Sequence, residues 1–409
     1  MSKRPAAPAP DAPARLAAMG LVNALGRGRD AVWPRLIEGD ASGLVHRDDL
    51  VAGRRLLVGA VDAPLPPIPE ALAEYACRNN AFTLAALDEI AEPVSTALAA
   101  HGPERIGVVM GTSTSGSAEC EAAMVHEAAT GSLAPEFRYP QLEFGGTAGF
   151  VAAHLGLRGP AITLSTACSS SARALASARS LLRLGLCDAV IAGGSDSLCG
   201  LTANGFSSLQ SISSEICNPM SKNRNGLTLG EGAAVFLVTR ESGGIQLLGV
   251  GESSEAHHMS APDPEGHGAI ASMRGALADA GLEPTDIAYL NLHGTATPLN
   301  DAMESRAAAA VLGDAVPCSS TKPLVGHTLG AAGATELAFC WLVLAQREEA
   351  SLRLPPHVFD GMRDPEIVAL RLVQKGESAP CGPATAVMTN SFGFGGNNCT
   401  LVIGEDRSC

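Results

Sequence analysis

Charge is scarce in this chain. Only 17 % of its 409 residues are Asp, Glu, Lys or Arg, against roughly a quarter in an ordinary soluble domain. Two readings are open: an apolar surface buried against a second subunit, or a core packed from small residues, 45 of them glycine. The charge present leans to one sign, net −14. Such a balance argues against nucleic acid or an anionic membrane as a general partner, though not against a local basic patch. No apolar run reaches eighteen residues, so no membrane span is expected. Residues 1–13 are rich in Ala and Pro and lack the apolar core of a signal peptide; they read as a short flexible tail. No two cysteines form a C-x-x-C pair, and eleven is an odd number. That fits reduced thiols in the cytoplasm better than a disulfide framework or a zinc site. One or two of them at most should be chemically special.

What is present is a repeated pattern of short apolar runs and Ala/Leu-rich stretches. Segments 105–110 (RIGVVM), 161–164, 189–192, 233–238, 245–250, 287–292 and 385–389 read as strands. Segments 68–91, 169–186, 268–280, 301–312 and 334–346 read as helices. Continuous apolar strands separated by helices predict an α/β fold with crossover connections and buried sheets. A soft boundary at 241–244 (ESGG) divides the chain into residues 14–243 and 244–409. Each half carries a strand, a Gly-rich turn and a helix bearing a reactive group, without an alignable internal repeat.

The first reactive group is Cys168, in LSTACSSSARALASARS. An apolar strand runs into Ser165-Thr166-Ala167, and a helix follows the three serines. The cysteine thus stands at a helix start, where free N–H groups and the helix dipole are expected to depress its pKa and expose it for nucleophilic attack. The second set lies in NLHGTATPLND (291–301) and STKPLVGHTLGAAGATE (320–336). His293 and His327 each precede a turn of small residues, which lets a substrate approach. Their spacing is not that of metal ligands, and the pair His257-His258 reads as a solvated loop. Lys322 precedes His327 by five positions in an apolar context that a surface lysine would not favour. The last segment, NSFGFGGNN (390–398), interleaves three glycines with Phe392 and Phe394. A strand, not a helix, follows it, so it is not a dinucleotide fingerprint. Close backbone approach to a ligand explains the glycines, with Phe394 as both gate and N–H donor.

Together with NPMSKNRNGLTLGEG (218–232), these motifs resemble, in type and order, the β-ketoacyl synthases of type II fatty-acid and polyketide synthesis. The resemblance covers roughly residues 100–404. Upstream, the opening strand and its T-G-x-G turn are reduced to LAAMGLVNALG, which leaves the first strand in doubt. The resemblance implies a thiolase fold: a five-layered α-β-α-β-α sandwich of two similar halves. It also implies a dimer, and an acyltransferase with no bound cofactor or metal, its substrates carried on the phosphopantetheine of acyl carrier protein.

Carried over to this chain, Cys168 holds the acyl group. His293 and His327 donate to the malonyl thioester oxygen as carbon dioxide leaves, and the N–H groups of Cys168 and Phe394 hold the oxyanion. Lys322 and Glu336 order His327 and its surroundings, while Phe392, Thr295 and Thr297 support the site. Arg78, Lys222 and Arg224 are candidates for a basic patch that receives the acidic carrier protein. Small residues in 111–116 (GTSTSG) and 205–214 (GFSSLQSISS) suit a long, narrow acyl channel, and some synthases of conjugated aryl-polyene pigments are similar to this chain.

Two rivals remain. A non-decarboxylating thiolase acting on coenzyme A esters would share GHTLGAAG but needs a second catalytic cysteine, for which Cys399 is the near candidate. A non-catalytic chain-length subunit would lack the nucleophile that Cys168 provides; this chain could instead pair with such a subunit, or with itself.

Overall fold

The computed structural model describes residues 14–382 and 385–405. The expected tail, residues 1–13, lies outside them. Ten strands form the main sheet: β1 (Arg15–Asn23), β2 (Ile106–Gly111), β3 (Ala161–Leu164), β4 (Ala189–Asp196), β5 (Gly232–Thr239), β6 (Ile245–Ser254), β7 (Ile287–Asn291), β8 (Cys318–Ser319), β9 (Ala386–Gly393) and β10 (Asn397–Glu405). A short eleventh strand, Gly26–Arg27, pairs back on β1. Six helices position the site: α1 (Arg78–Asp88), α2 (Gly145–Leu155), α3 (Ser170–Arg183), α4 (His267–Ala280), α5 (Pro298–Leu312) and α6 (Ala332–Ala345).

Strand order exposes a repeat that the residues conceal. The first five strands run β3-β2-β4-β5-β1 and the second five run β8-β7-β9-β10-β6. Both are the order 3-2-4-5-1, and in both the fifth strand is antiparallel to its two neighbours. The two sets meet at one β1–β6 pair, Arg15 opposite Gln246. Helices α1 and α2 cover one outer face, α4 and α5 the other, and α3 and α6 lie between, touching strands of both sets and each other. This is the five-layered thiolase arrangement that the resemblance implies.

The central layer explains the composition. In α6 (AGATELAFCWLVLA) every residue from Ala332 to Leu344 is buried. A helix apolar all round belongs inside a protein. Its Leu337, Phe339 and Leu342 share one cluster with Leu175, Ala178 and Leu182 of α3 and Phe236 of β5. Each fully buried Leu or Phe there is worth about 1.5–3 kcal/mol. Small residues let helix and sheet approach closely. At Gly111, the last residue of β2, an added Cβ would sit 2.4 Å from the Ser171 nitrogen of α3. A Gly111→Ala variant is therefore expected to lose about 1–3 kcal/mol, through overpacking, in a urea titration. Its Cys168 turn should shift with α3.

The strand expectations are met, and β1 resolves the doubtful one: Arg15–Asn23 is a full nine-residue strand between β5 and β6. One helix expectation is corrected. Segment 68–91 is not continuous but a 3₁₀ turn (Glu70–Tyr75) followed by α1. The Asn80 amide donates to the Tyr75 carbonyl at 2.8 Å and turns the chain there. Among the described residues no helix is long and apolar enough to cross a membrane.

Candidate active site

The motifs converge because they follow the carboxyl ends of strands in the two half-sheets, where open α/β sheets place their ligands. Cys168 follows β3 and precedes α3; Lys322 and His327 follow β8 and precede α6. The topological repeat thus points the starts of both central helices at one cavity. His293 comes from the end of β7, and Phe392 and Phe394 from the end of β9.

The serines after the nucleophile build its turn. Ser170 Oγ donates to the Ala167 carbonyl (2.6 Å) and accepts from the Thr166 N–H (2.8 Å), while Ser169 Oγ donates to the Thr166 carbonyl (2.8 Å). Ser171 Oγ accepts the Ala334 N–H (2.8 Å) and locks α3 to α6. Ala167 has φ 53°, a left-handed conformation strained for a residue with a Cβ. Such strain, held by Ser169 and Ser170, is what presents Cys168 to the cavity.

Ligand atoms of Cys168, His293 and His327 all lie within 4.8 Å of one another. His327 Nε2 is 3.0 Å from Cys168 Sγ, and the two imidazole rings stand edge to face with centroids 5.3 Å apart. Both rings are buried, and burial, reinforced by the Lys322 charge, holds both pKa values well below the usual histidine range. They are neutral imidazoles that can donate a hydrogen bond without carrying charge. The Phe394 N–H points at Cys168, as does the Lys322 charge, yet burial outweighs both and pushes the thiol up to about 11. The expected depression of the Cys168 pKa is thus corrected: helix-start stabilisation loses to desolvation. At neutral pH the group is a thiol whose proton has an acceptor in His327 Nε2. A direct consequence is testable. The rate of Cys168 alkylation by iodoacetamide should rise about tenfold per pH unit from pH 6 to 9. A plateau by pH 8 would mean a preformed thiolate.

Lys322 is only 1 % exposed and pairs with buried Glu336. Its Nζ also donates to the His293 carbonyl and lies 3.4 Å from His293 Nδ1. Here the expectation needs a second correction: the Lys322–Glu336 pair orders His293, not His327. His327 is held instead by its backbone. Its N–H donates to the Thr228 carbonyl (2.7 Å), and its own carbonyl accepts from Gly230 (2.9 Å).

Cys168, His293 and His327 line a cavity of about 280 Å³ together with Thr295, Thr297, Phe392 and Phe394. The Thr295 and Thr297 hydroxyls are 3.0 Å apart. Phe392 packs edge-on against His293, and Phe394 lies tilted against Phe206. Gly393 touches the nucleophile turn so closely that an added Cβ would stand 3.3 Å from the Cys168 nitrogen.

Of the docking candidates, Lys222 is exposed and the two arginines are not free. Arg78 is forked onto buried Glu231 (2.9 and 2.5 Å) with its guanidinium over Phe82. Arg224 is 9 % exposed at the side chain and paired with Asp364. Arg224 is thus a buried structural ion, while Arg78, 40 % exposed at the side chain, is held in place by its carboxylate partner. Cys399 lies in β10, fully buried, and burial raises its pKa.

Three carboxylates escaped sequence reasoning. Glu304, in the second turn of α5, accepts the backbone N–H groups of His293 (2.8 Å) and Gly294 (2.7 Å). Asp301 accepts from Ala296 and Met220. Asp196, ending β4, accepts from Thr112, Ser113, Thr114 and Ala331. The signal for the first two was an acidic pair, three residues apart, at the start of a helix after a Gly/Thr turn.

Comparison with known proteins gives a consistent result. The family models "Beta-ketoacyl synthase, N-terminal domain" and "Beta-ketoacyl synthase, C-terminal domain" match residues 16–243 and 245–351. The chain is 31 % identical over 344 residues to 3-oxoacyl-[acyl-carrier-protein] synthase 2 of Staphylococcus aureus, spanning 80 % of this chain and 83 % of that one. Among solved structures, it is similar to a ketosynthase from Xenorhabdus doucetiae in complex with its chain length factor, with a TM-score of 0.91, 46 % identity and coverage of 96 % and 98 % of the two chains. A β-ketoacyl synthase from Burkholderia phymatum is also similar, with a TM-score of 0.84, 27 % identity and coverage of 96 % and 99 %.

Proposed function

The chain belongs to the β-ketoacyl synthase family, and we propose that Cys168, His293 and His327 carry its decarboxylative condensation. The observation that supports this most is the facing of the Cys168 thiol by two neutral imidazoles across one cavity. In the first half-reaction the Cys168 thiol passes its proton to His327 Nε2, and the sulfur attacks the thioester of an acyl carrier protein. The acyl–sulfur bond to phosphopantetheine breaks, and that thiol leaves with the proton.

In the second half-reaction a malonyl thioester occupies the cavity. Its carboxylate leaves as carbon dioxide, and the electron pair of the broken carbon–carbon bond becomes an enolate. Negative charge collects on the thioester oxygen, where the Nε2–H groups of His293 and His327 donate. Such donors are worth about 2.7–4 kcal/mol each in a water-poor site. The carbanion attacks the Cys168 thioester, and the resulting oxyanion is held by the N–H groups of Cys168 and Phe394. Collapse breaks the carbon–sulfur bond and expels the Cys168 thiolate, which takes a proton from solvent to restore the thiol. The His327 Nδ1 has no hydrogen-bond partner among the described residues. No neighbour therefore fixes its tautomer, and Nε2 is able to accept first and donate later. Substrates arrive on phosphopantetheine, and the reaction calls for no cofactor or metal. The Lys322 cation beside His293 opposes a metal ion.

The sheet edge suggests how a second subunit attaches. Strand β3 ends the strand order, and its Ile162 is 40 % exposed. Phe144, at the start of α2, which packs on β3, is exposed as well. Edges of this kind invite pairing with another chain. The Xenorhabdus relative was solved with a chain length factor, and this chain takes a homologous partner of that kind along its β3 edge. Carrier protein docks beside the cavity mouth, and of the three candidates exposed Lys222 is the one without an ion pair among the described residues; Lys222→Glu is expected to raise the KM for malonyl carrier protein and leave kcat unchanged.

The deciding experiment supplies the purified chain, alone and co-expressed with a homologous partner, with acyl and malonyl carrier proteins. Mass spectrometry should find a β-ketoacyl product two carbons longer. With a reductase set added, conjugated chains favour the aryl-polyene reading, and saturated short chains alone remove it. Acetyl transfer to coenzyme A without carbon dioxide release would favour a thiolase.

A further inference from the structure

Behind the two imidazoles of the cavity lies a third buried histidine, which neither the mechanism nor the motifs employ. His357 sits in the irregular segment after a Leu-Pro-Pro run, 5 % exposed. Its ring joins two loops. Nδ1 accepts the Ser320 N–H at 3.1 Å, and Nε2 faces the Pro219 carbonyl at 2.9 Å. These partners fix the tautomer: Nε2 carries the proton, since only a donor suits a carbonyl, and Nδ1 keeps its lone pair. Burial holds the ring neutral, with a pKa of about 4. Phe359 packs edge-on against it.

The residues it holds lead straight to the chemistry. Ser320 Oγ donates to the Gly294 carbonyl (2.8 Å) and accepts the Lys322 N–H (3.3 Å). Lys322 in turn holds the His293 carbonyl and stands against its ring. On the other side, Pro219 precedes Met220, whose N–H is taken by Asp301, the carboxylate that also holds the Ala296 N–H. Both arms of His357 thus end on the turn that carries His293. Neither arm reaches Cys168, whose own turn is built by Ser169 and Ser170.

We propose that His357 is a positioning residue for His293, holding the Ser320–Lys322 turn at the register that aims the imidazole at the malonyl oxygen. This rests on the ketosynthase reading. It predicts a split between the half-reactions: decarboxylation should suffer and acylation of Cys168 should not. A displacement of about an ångström at a catalytic donor costs on the order of a hundredfold.

The test uses the enzyme with whatever partner it requires. His357→Leu should slow carbon dioxide release from malonyl carrier protein about ten- to a hundredfold. Transfer of a labelled acyl group to Cys168 should stay within about twofold, as expected for an independent site. His357→Asn, whose Oδ1 stands near the Nδ1 position, should recover most of the loss by accepting from Ser320. His357→Gln, which restores only the donor toward Pro219, should recover less. The Asn–Gln comparison stands even where the Leu variant fails to fold. Equal loss of both half-reactions in all variants, or no loss in any, overturns the proposal. If the wild-type enzyme releases no carbon dioxide at all, the ketosynthase reading fails and this inference with it.

Discussion

Replacing Cys168 with alanine is expected to abolish condensation, with product formation falling on the order of 10⁴–10⁶-fold, as when other covalent catalysts lose their nucleophile. The variant removes one sulfur from a cavity wall and leaves the side-chain hydrogen bonds of the turn, because Ser169 and Ser170 make them, and the Ser171 link to α6. It should fold normally. It should also keep releasing carbon dioxide from malonyl carrier protein, since His293 and His327 remain to hold the enolate oxygen. Intact-protein mass spectrometry after incubation with an acyl carrier protein should show an acyl adduct on the wild type and none on the variant. Retention of more than about one per cent of condensing activity would place the covalent intermediate elsewhere.

The second large effect concerns the interior ion pair. Lys322 and Glu336 are 1 % and 3 % exposed at the side chain. Lys322→Ala leaves a carboxyl group buried without its partner, and breaking such a pair costs about 3–5 kcal/mol. The change should appear as a lower urea midpoint. Lys322→Met combined with Glu336→Leu removes both charges and should recover most of that stability, without recovering condensation, because His293 loses its contacts either way. A single variant that loses less than about 1 kcal/mol would show that the pair is not a buried ion pair in solution.

The pH dependence carries a definite sign. Burial raises Glu336 to about 7 from an ordinary 4.5, and raises Glu304 likewise to about 7. Between those two values the folded state holds protons that the unfolded state has shed. The contribution of each group is therefore complete below about 4.5 and is lost as pH rises toward 7. Removing Lys322 lifts Glu336 further, so the deficit of the Lys322→Ala variant should deepen as pH rises above about 7, where Glu336 ionises in the wild type and stays protonated in the variant.

Much of this site was legible in residue order. A strand, a cysteine and a serine-rich helix start identified the nucleophile, and His293, His327 and the glycine loop were visible as short motifs. These are local features, fixed by a few neighbouring residues. Failures came where the deciding quantity was burial or a distant partner. Helix-start chemistry pointed to an acidic Cys168, and the depth of the cavity reversed it. Arg78 and Arg224 looked like docking cations, but Glu231 lies 153 positions from Arg78 and Asp364 lies 140 from Arg224. Lys322 lies in the motif of His327 and nonetheless serves His293, 29 positions away.

The sequence by itself determined the chemistry on offer: one thiol at a helix start, two imidazoles before small-residue turns, and strands apolar enough to be buried. Local backbone preferences and side-chain types suffice for that. Tertiary structure alone decided which of these groups meet and in what ionisation state. Two half-sheets of identical strand order carry the starts of α3 and α6 to one point, and the burial that results keeps both rings uncharged and the thiol protonated. Neither distance nor desolvation is a property of a segment; both arise only when the layers close over it.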